Sequence, residues 1–436
     1  MQEVRTFIHE ATSAFNSKDR DGITQLIALE EADPRLAKLQ EALYKMTEEA
    51  IRSTVQNDMK NGPRPLKDFI TNYLLFSISS ALVTSSMVDV YEQLSTCYGN
   101  FLSLYAASDA QWLTPLLINL SSSLVTWAVY ADEEKPKAKE LKISDAAAKH
   151  LSKAFNIVIS DKVPNALKDS KKMALYYLAN LTFRVYFKLR STRLIPTMIA
   201  NISKAGVDLS SYPMSQQVTH RYYLGRYYLY QLDLRRAERE LAFAFRNSPD
   251  FGDDESDNGI IYNNSRLILI YLTSCRLCLG RMPAMQLLEA YNLLPFFAPL
   301  MTAVKLGNLA LLDQTLSSPD FMMWFVKKEI FFLLKEKLTV LCWRSLIRRV
   351  WLASQHPPEP PQLRVQLEVL FNVVLELIKD STYDIYNIFD IECITASLLD
   401  QGYIKGYIHS QKKILVLSKT NPFPIVYTVE VMEEVL

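Results

Sequence analysis

The chain is 436 residues long, enough for two or three packed units. Its 48 basic and 47 acidic side chains leave a formal net charge of +1. That balance excludes global electrostatic steering, so any nucleic-acid surface has to be a local patch. Only 11 residues are glycine, well under the roughly 7% average, and this scarcity suits long helices with few tight turns. The five scattered cysteines do not form a disulfide framework and point to a reducing compartment.

In chain order, the first segment MQEVRTFIHEA is amphipathic and mixed in charge, unlike a secretory leader. Helical patterning follows over Gln2–Ser17, Gly22–Glu31, Pro34–Lys60 and Pro65–Leu104, the last with a break near Ser85. Asn61-Gly62-Pro63-Arg64-Pro65 separates two of these runs, because proline removes donors and restricts the residue before it. Phe69–Val88 and Trp112–Tyr130 are uncharged and near spanning length. Their many hydroxyl and amide side chains read as helices buried between neighbours, so no membrane span is expected. Asp132–Lys142 is a charged loop, and helices resume over Ser144–Ile159, Ser170–Arg190 and Thr192–Lys204.

From Ser215 a repeat becomes visible. Leu224, Gly225, Tyr228, Ala237, Leu241, Ala244 and Pro249 fall at tetratricopeptide spacing, with Arg221 in place of the aromatic that normally precedes Leu-Gly. Gly225 and Ala237 permit close helix approach, and Pro249 stops the second helix. Looser hairpins turn at Gly280–Pro283 and at Gly307-Asn308, while the acidic insert Asp250–Asn264 reads as a loop. Phe321–Ala353 reads as one long helix, the run His356–Pro361 as a polyproline connector, and Leu363–Lys379 as the next helix. The helix Asp390–Gln401 then ends at Gly402. Strand-like runs Tyr403–His409 and Ile414–Lys419 follow, joined by a turn at Ser410–Lys413. Helix followed by hairpin is the grammar of a winged helix. The expected class is therefore mainly α: a tetratricopeptide- or HEAT-like helical-repeat solenoid capped by a C-terminal winged helix. Its expected parts are residues 1–210, 211–320 and 321–436.

Four stretches carry a family resemblance: Tyr222-Tyr223-Leu224-Gly225-Arg226-Tyr227-Tyr228-Leu229-Tyr230, Arg266–Leu272, Gly402–Ile408 and the tail Ser418–Pro424. Together they resemble PCI-domain proteins over Arg221 to Pro424. The branch they resemble supplies the PCI subunit of the nuclear complex coupling transcription to mRNA export. A sister branch, the signalosome-associated PCI proteins, stays open, as does a translation-factor scaffold. The resemblance implies a scaffold in the nucleus, associated with the pore, with the cytoplasm left open as a second location. Its implied partners are a large export-complex scaffold subunit, a small acidic Sem-type subunit, and RNA or DNA on a basic surface.

The residues themselves nominate where such contacts fall. Lys337, Arg344 and Arg348 share one helix face at spacings of seven and four, with Arg349 beside them. Lys405, Lys412, Lys413 and Lys419 decorate the hairpin. These eight form the expected nucleic-acid surface, sequence-tolerant and salt-sensitive. Arg235, Arg236 and Arg239 at the repeat turn suit a protein partner, as do Ile391, Ile394, Leu398, Tyr403 and Tyr407 of the winged helix. The helix Asp390–Gln401 carries Asp390, Glu392 and Asp400 and no Lys or Arg, so it is poorly suited to a major groove. Cys275 and Cys278 read as buried helix thiols, and the Tyr222–Tyr230 cluster as core. No HExxH, GxSxG or phosphate loop occurs, and the five histidines are scattered. Neither an enzyme, a cofactor nor a small-molecule substrate is expected.

Overall fold

The computed structural model describes residues 2–27, 29, 34–60, 62–81, 86–134, 142–162, 170–249, 255–355, 362–379 and 386–429. Two compact units divide at Tyr223 and Leu224. The expected helical part from 211 and the winged-helix part from 321 thus fall largely in one unit.

The first unit is a run of helices: α1 (Gln2–Asn16), α2 (Arg20–Leu26), α3 (Pro34–Leu43), α4 (Glu48–Asp58), α5 (Arg64–Ala81), α6 (Met87–Tyr105), α7 (Thr114–Glu134), α8 (Lys142–Ile159), α9 (Leu175–Lys188), α10 (Ile195–Lys204) and the first half of α11 (Met214–Tyr230). From α5 to α9 each helix packs on its predecessor, which is the arrangement of stacked hairpins. The pattern in α1 is typical: Val4, Phe7, Ile8 and Ala11 recur every three or four residues and are buried together. The expected single helix over Pro34–Lys60 is two helices. Thr47 accepts a hydrogen bond from the Ala50 amide at 3.3 Å and starts α4, with Glu48 and Glu49 in its positive first turn. Residues 82–85, where a break is expected, lie outside the described set. Ser86 and Asp89 form a capping box that opens α6.

Ala110–Glu134 is long and apolar enough to cross a membrane, yet 56% of its apolar window is buried inside the protein. Its hydroxyls explain the polarity noted in the sequence. Ser121 donates to the Leu117 carbonyl and meets the Tyr98 hydroxyl at 2.8 Å, while Thr114 meets the Tyr105 hydroxyl at 2.9 Å. Lys171 is buried too. Its ammonium donates to the Tyr105 and Ala107 carbonyls at 2.8 and 2.7 Å, satisfying the last turn of α6.

The second unit opens with the rest of α11 and continues through α12 (Leu234–Arg246), α13 (Glu255–Cys278), α14 (Met285–Ala290), α15 (Leu294–Leu306), α16 (Leu309–Ser317), α17 (Pro319–Lys327) and α18 (Phe331–Ala353). Gly225 of α11 faces Leu241 of α12 so closely that a Cβ there would sit 2.5 Å from the Leu241 Cγ. This is the close approach the repeat spacing requires. The expected loop over Asp250–Asn264 is corrected: α13 already begins at Glu255, and residues 250–254 lie outside the described set. The expected continuous helix Phe321–Ala353 is also two helices. Glu329 adopts a left-handed φ of 61° and separates α17 from α18. The proline run 356–361 and the Tyr/Asp-rich stretch 380–385 lie outside the described residues.

The chain then forms β1 (Arg364–Gln366), α19 (Leu367–Ile378), α20 (Ile388–Asp400), β2 (Gly406–His409) and β3 (Ile414–Leu417). The sheet is antiparallel in the order β1-β3-β2. With α18 in front, the order α-β-α-α-β-β is that of a winged helix. Reading Leu363–Lys379 as wholly helical missed β1. Its pairing partner β3 lies about fifty residues on, with Leu417 N–H donating to the Leu363 carbonyl at 2.8 Å, and only long-range pairing holds so short a strand.

Candidate nucleic-acid and partner surface

The helix face shared by Lys337, Arg344 and Arg348 is only partly open. Arg344 is half-buried, and its guanidinium donates to the Tyr403 and Pro424 carbonyls. Burial, followed by the neighbouring Arg348 charge, holds its pKa below the ordinary arginine value. Arg344 is therefore a clamp on the C-terminal segment, not an outward cation. Lys337 keeps only 25% of its side chain exposed and lines a cleft with Arg235, Tyr403, Val426 and Val429. Arg348 and Arg349 are exposed, and Arg349 donates to the Leu306 carbonyl at 3.2 Å.

On the winged helix, Lys405, Lys412 and Lys419 are exposed. Lys413 differs. Its ammonium pairs with the Glu392 carboxylate at 2.5 Å and sits 4.6 Å from the Phe389 ring centre. The hydrogen bond from Lys413 holds the Glu392 carboxyl below its usual range. One of the three acids on α20 is thus neutralised by the hairpin it faces.

Arg235 is also committed within the chain: it donates to the Tyr427 and Val429 carbonyls at 3.0 and 3.1 Å. Arg281 lies 3.5 Å over the Tyr427 ring. Gly280, at φ 71°, admits Val426 where a Cβ would meet it at 2.6 Å. Phe423 lies against Trp351 with ring centres 5.5 Å apart. Residues Phe423 to Val429 therefore strap the winged helix to the repeat turn, which is a role for Arg235 that the repeat pattern alone does not show. Arg236 pairs with Asp233 at 3.2 Å, and Arg239 is exposed.

Of the apolar candidates, Ile391, Leu398 and Tyr403 are at most 7% exposed and form the winged-helix core, so they are corrected from partner surface to core. Ile394 is half-buried and Tyr407 is 61% exposed. Hydrophobic residues at helical spacing mark the covered face, which explains the inversion. Cys275 and Cys278 are buried as expected. Cys275 donates to the Leu234 carbonyl at 2.9 Å, and burial pushes the Cys278 thiol up to about 12. Thiols so placed are poor metal ligands. Among the described residues, no three His, Cys, Asp or Glu side chains cluster as a metal site.

Sequence reasoning missed Arg364, whose exposed side chain begins β1, and Glu238, a buried carboxylate held by Arg276 and Arg281 at 3.1 and 2.8 Å. The alternation Arg364-Val365-Gln366 was the available signal for the first. Nothing local signalled the second.

Stacked helical hairpins ending in a winged helix, with cations on α18 and the wing, define a helical-repeat scaffold of the assembly type. The chain belongs to the PCI domain-containing proteins. It is 31% identical over 96% of its length to a PCI domain-containing protein of Schizosaccharomyces pombe, covering 93% of that chain. It is 33% identical to PCI domain-containing protein 2 of Xenopus laevis over 80% of its length and 82% of the relative's. A protein named CSN12 homolog from Mycosarcoma maydis is 28% identical over 84% of this chain and 86% of its own. No family model matches the chain.

Proposed function

We propose that this chain is a non-enzymatic scaffold subunit of a nuclear complex coupling transcription to mRNA export. In this reading it pairs with a large scaffold subunit and a small acidic Sem-type subunit, and it works at or near the nuclear pore. The observation that carries the nucleic-acid part is the cation set Arg348, Arg349, Lys405, Lys412 and Lys419, all exposed on one winged-helix domain. Across Gln401–Val429 the chain carries four lysines and no acid. Such a surface neutralises phosphates without reading bases, so binding should weaken steeply with salt. The acidic α20 suits contact with protein rather than entry into a groove. Recovery from nuclear extract of a complex containing the export scaffold and RNA supports the proposal; recovery with a signalosome core and no RNA overturns it.

A second reading, a signalosome-associated scaffold without a nucleic-acid role, draws on the likeness to the CSN12 homolog. It requires recovery of the chain with a signalosome core and no nucleic acid in the recovered complex.

A further inference from the structure

The winged-helix sheet buries one face and opens the other. Val365, Leu415 and Leu417 point inward and are at most 3% exposed. The pairing register fixes what points outward. Arg364, Val416 and Tyr407 stand side by side in one row across β1, β3 and β2, and Gln366, Ile414 and His409 form the next. Arg364 and Gln366 are exposed, Val416, Ile414 and His409 are half-buried, and Tyr407 is 61% exposed. Tyr407 thus offers an open aromatic ring on a pleated surface, in one row with an exposed arginine.

The charge around it narrows the occupant. Lys405 immediately precedes β2, Lys412 lies in the turn and Lys419 follows β3, all exposed and in an acid-free stretch. An apolar protein partner alone would leave these cations unmatched. A double helix would offer them phosphates but keep its bases stacked inside, away from Tyr407. We propose that this sheet face binds single-stranded RNA, with a base stacked on Tyr407. The sugar–phosphate chain then passes along the row toward Arg364, and Lys405, Lys412 and Lys419 neutralise the flanking phosphates. Neighbouring strands lie about 4.8 Å apart, so Tyr407 and Arg364 are roughly 10 Å apart across the row, within reach of one short stretch of unpaired strand. Lys413 takes no part, since Glu392 holds it. The proposal deepens the nucleic-acid part of the proposed function and rests on it. It also assigns Tyr407 to RNA rather than to a protein partner.

The test uses the full chain and fluorescence anisotropy with labelled oligouridine and with a duplex of equal length. Four proteins are compared: the parent, Y407A, Y407F and the charge reversal R348E/R349E. The thermal midpoint and far-ultraviolet circular dichroism of each variant are measured alongside. Base–aromatic stacking predicts that Y407A binds oligouridine roughly 5- to 100-fold more weakly, with duplex affinity and the salt slope unchanged. Y407F restores binding. R348E/R349E weakens both ligands. If Y407A binds oligouridine like the parent while R348E/R349E does not, the sheet-face proposal is wrong and the broader reading stands. If Y407A instead loses a copurifying protein and keeps RNA, the face docks protein and the proposal is again overturned. If the parent chain binds neither ligand, the nucleic-acid reading itself falls.

Discussion

Tyr230 donates its hydroxyl to the Glu329 carboxylate at 2.6 Å, joining α11 to the turn between α17 and α18 across 99 residues of sequence. Arg226, one turn earlier on α11, reaches the same hydroxyl at 2.9 Å and the carboxylate at 3.5 Å. Its guanidinium also lies 4.8 Å from the Tyr271 ring centre on α13. Glu329 holds a left-handed φ that a side-chain-bearing residue adopts at some cost. The turn that ends α17 is thus placed where its carboxylate meets an arginine only 13% exposed.

Removing that carboxylate takes away the acceptor of the Tyr230 hydroxyl and the charge that Arg226 meets at 3.5 Å. We expect Glu329→Ala to destabilise the protein by about 2 kcal/mol, read as a lower denaturant midpoint at constant slope. Replacing both ends by apolar residues, as in R226M/E329L, should cost less than the single change, because the desolvation cost of both charges is relieved along with their attraction. A double variant weaker than E329A would show that the pair itself is a net stabiliser.

The Gly225–Leu241 approach makes a second test. Gly225→Ala puts a methyl 2.5 Å from the Leu241 Cγ, so overpacking of about 1–3 kcal/mol is expected even though alanine favours the helix. Shortening Leu241 to Ala in the same chain should recover part of that cost. A double-mutant cycle measures the recovery, and strict additivity would mean that the two positions do not compete for space.

These tests also mark what the sequence made legible. Gly225, Ala237 and Leu241 follow a known spacing, so the hairpin they build could be placed residue by residue. The winged-helix hairpin was equally plain, because β2 and β3 are adjacent and share a short turn. Strand β1 was not, since three residues cannot declare a strand whose partner lies fifty positions on. Long helices were over-extended for a related reason: apolar periodicity runs on through Thr47 and Glu329, where a cap and a distant carboxylate partner break the backbone. For the surface, charge pattern named the right helix but not which cations are occupied. Arg344 and Arg235 look like Arg348 and Arg239 in the sequence, and only the path of the C-terminal strap separates them.

His220 gives the first unit a dependence on pH. Its ring is 5% exposed, lies against Phe183, and meets the Asn180 amide oxygen at 3.0 Å. Burial, then the Arg221 charge, pushes its pKa down to about 3 from an ordinary 6.5. The unfolded chain therefore takes up a proton below about 6.5 that the folded chain refuses until about 3. Stability should fall as pH drops through that window, on the order of 5 kcal/mol in total from this group. His220→Asn, which carries no titrating ring, should flatten the curve of stability against pH. An unchanged slope would assign the acid sensitivity elsewhere.

Arginines only four and five residues apart on α18 divide between structure and surface. Arg344→Ala removes the donor that holds the Tyr403 and Pro424 carbonyls and leaves both acceptors short of a partner. A loss of about 2 kcal/mol is expected, with the strap loosened and proteolysis after Phe423 accelerated. Arg348 and Arg349 are exposed, and the single bond from Arg349 to the Leu306 carbonyl lies at the surface, so R348E/R349E should change stability by less than about 1 kcal/mol. Its effect belongs to binding: weaker association with any nucleic acid, and a salt slope reduced by roughly one for each phosphate that is no longer neutralised. Thermal melts and salt-dependent anisotropy on the same two variants read both effects. If Arg344→Ala kept full stability and lost nucleic-acid binding, the clamp role would be wrong and the helix face would be a phosphate surface along its whole length.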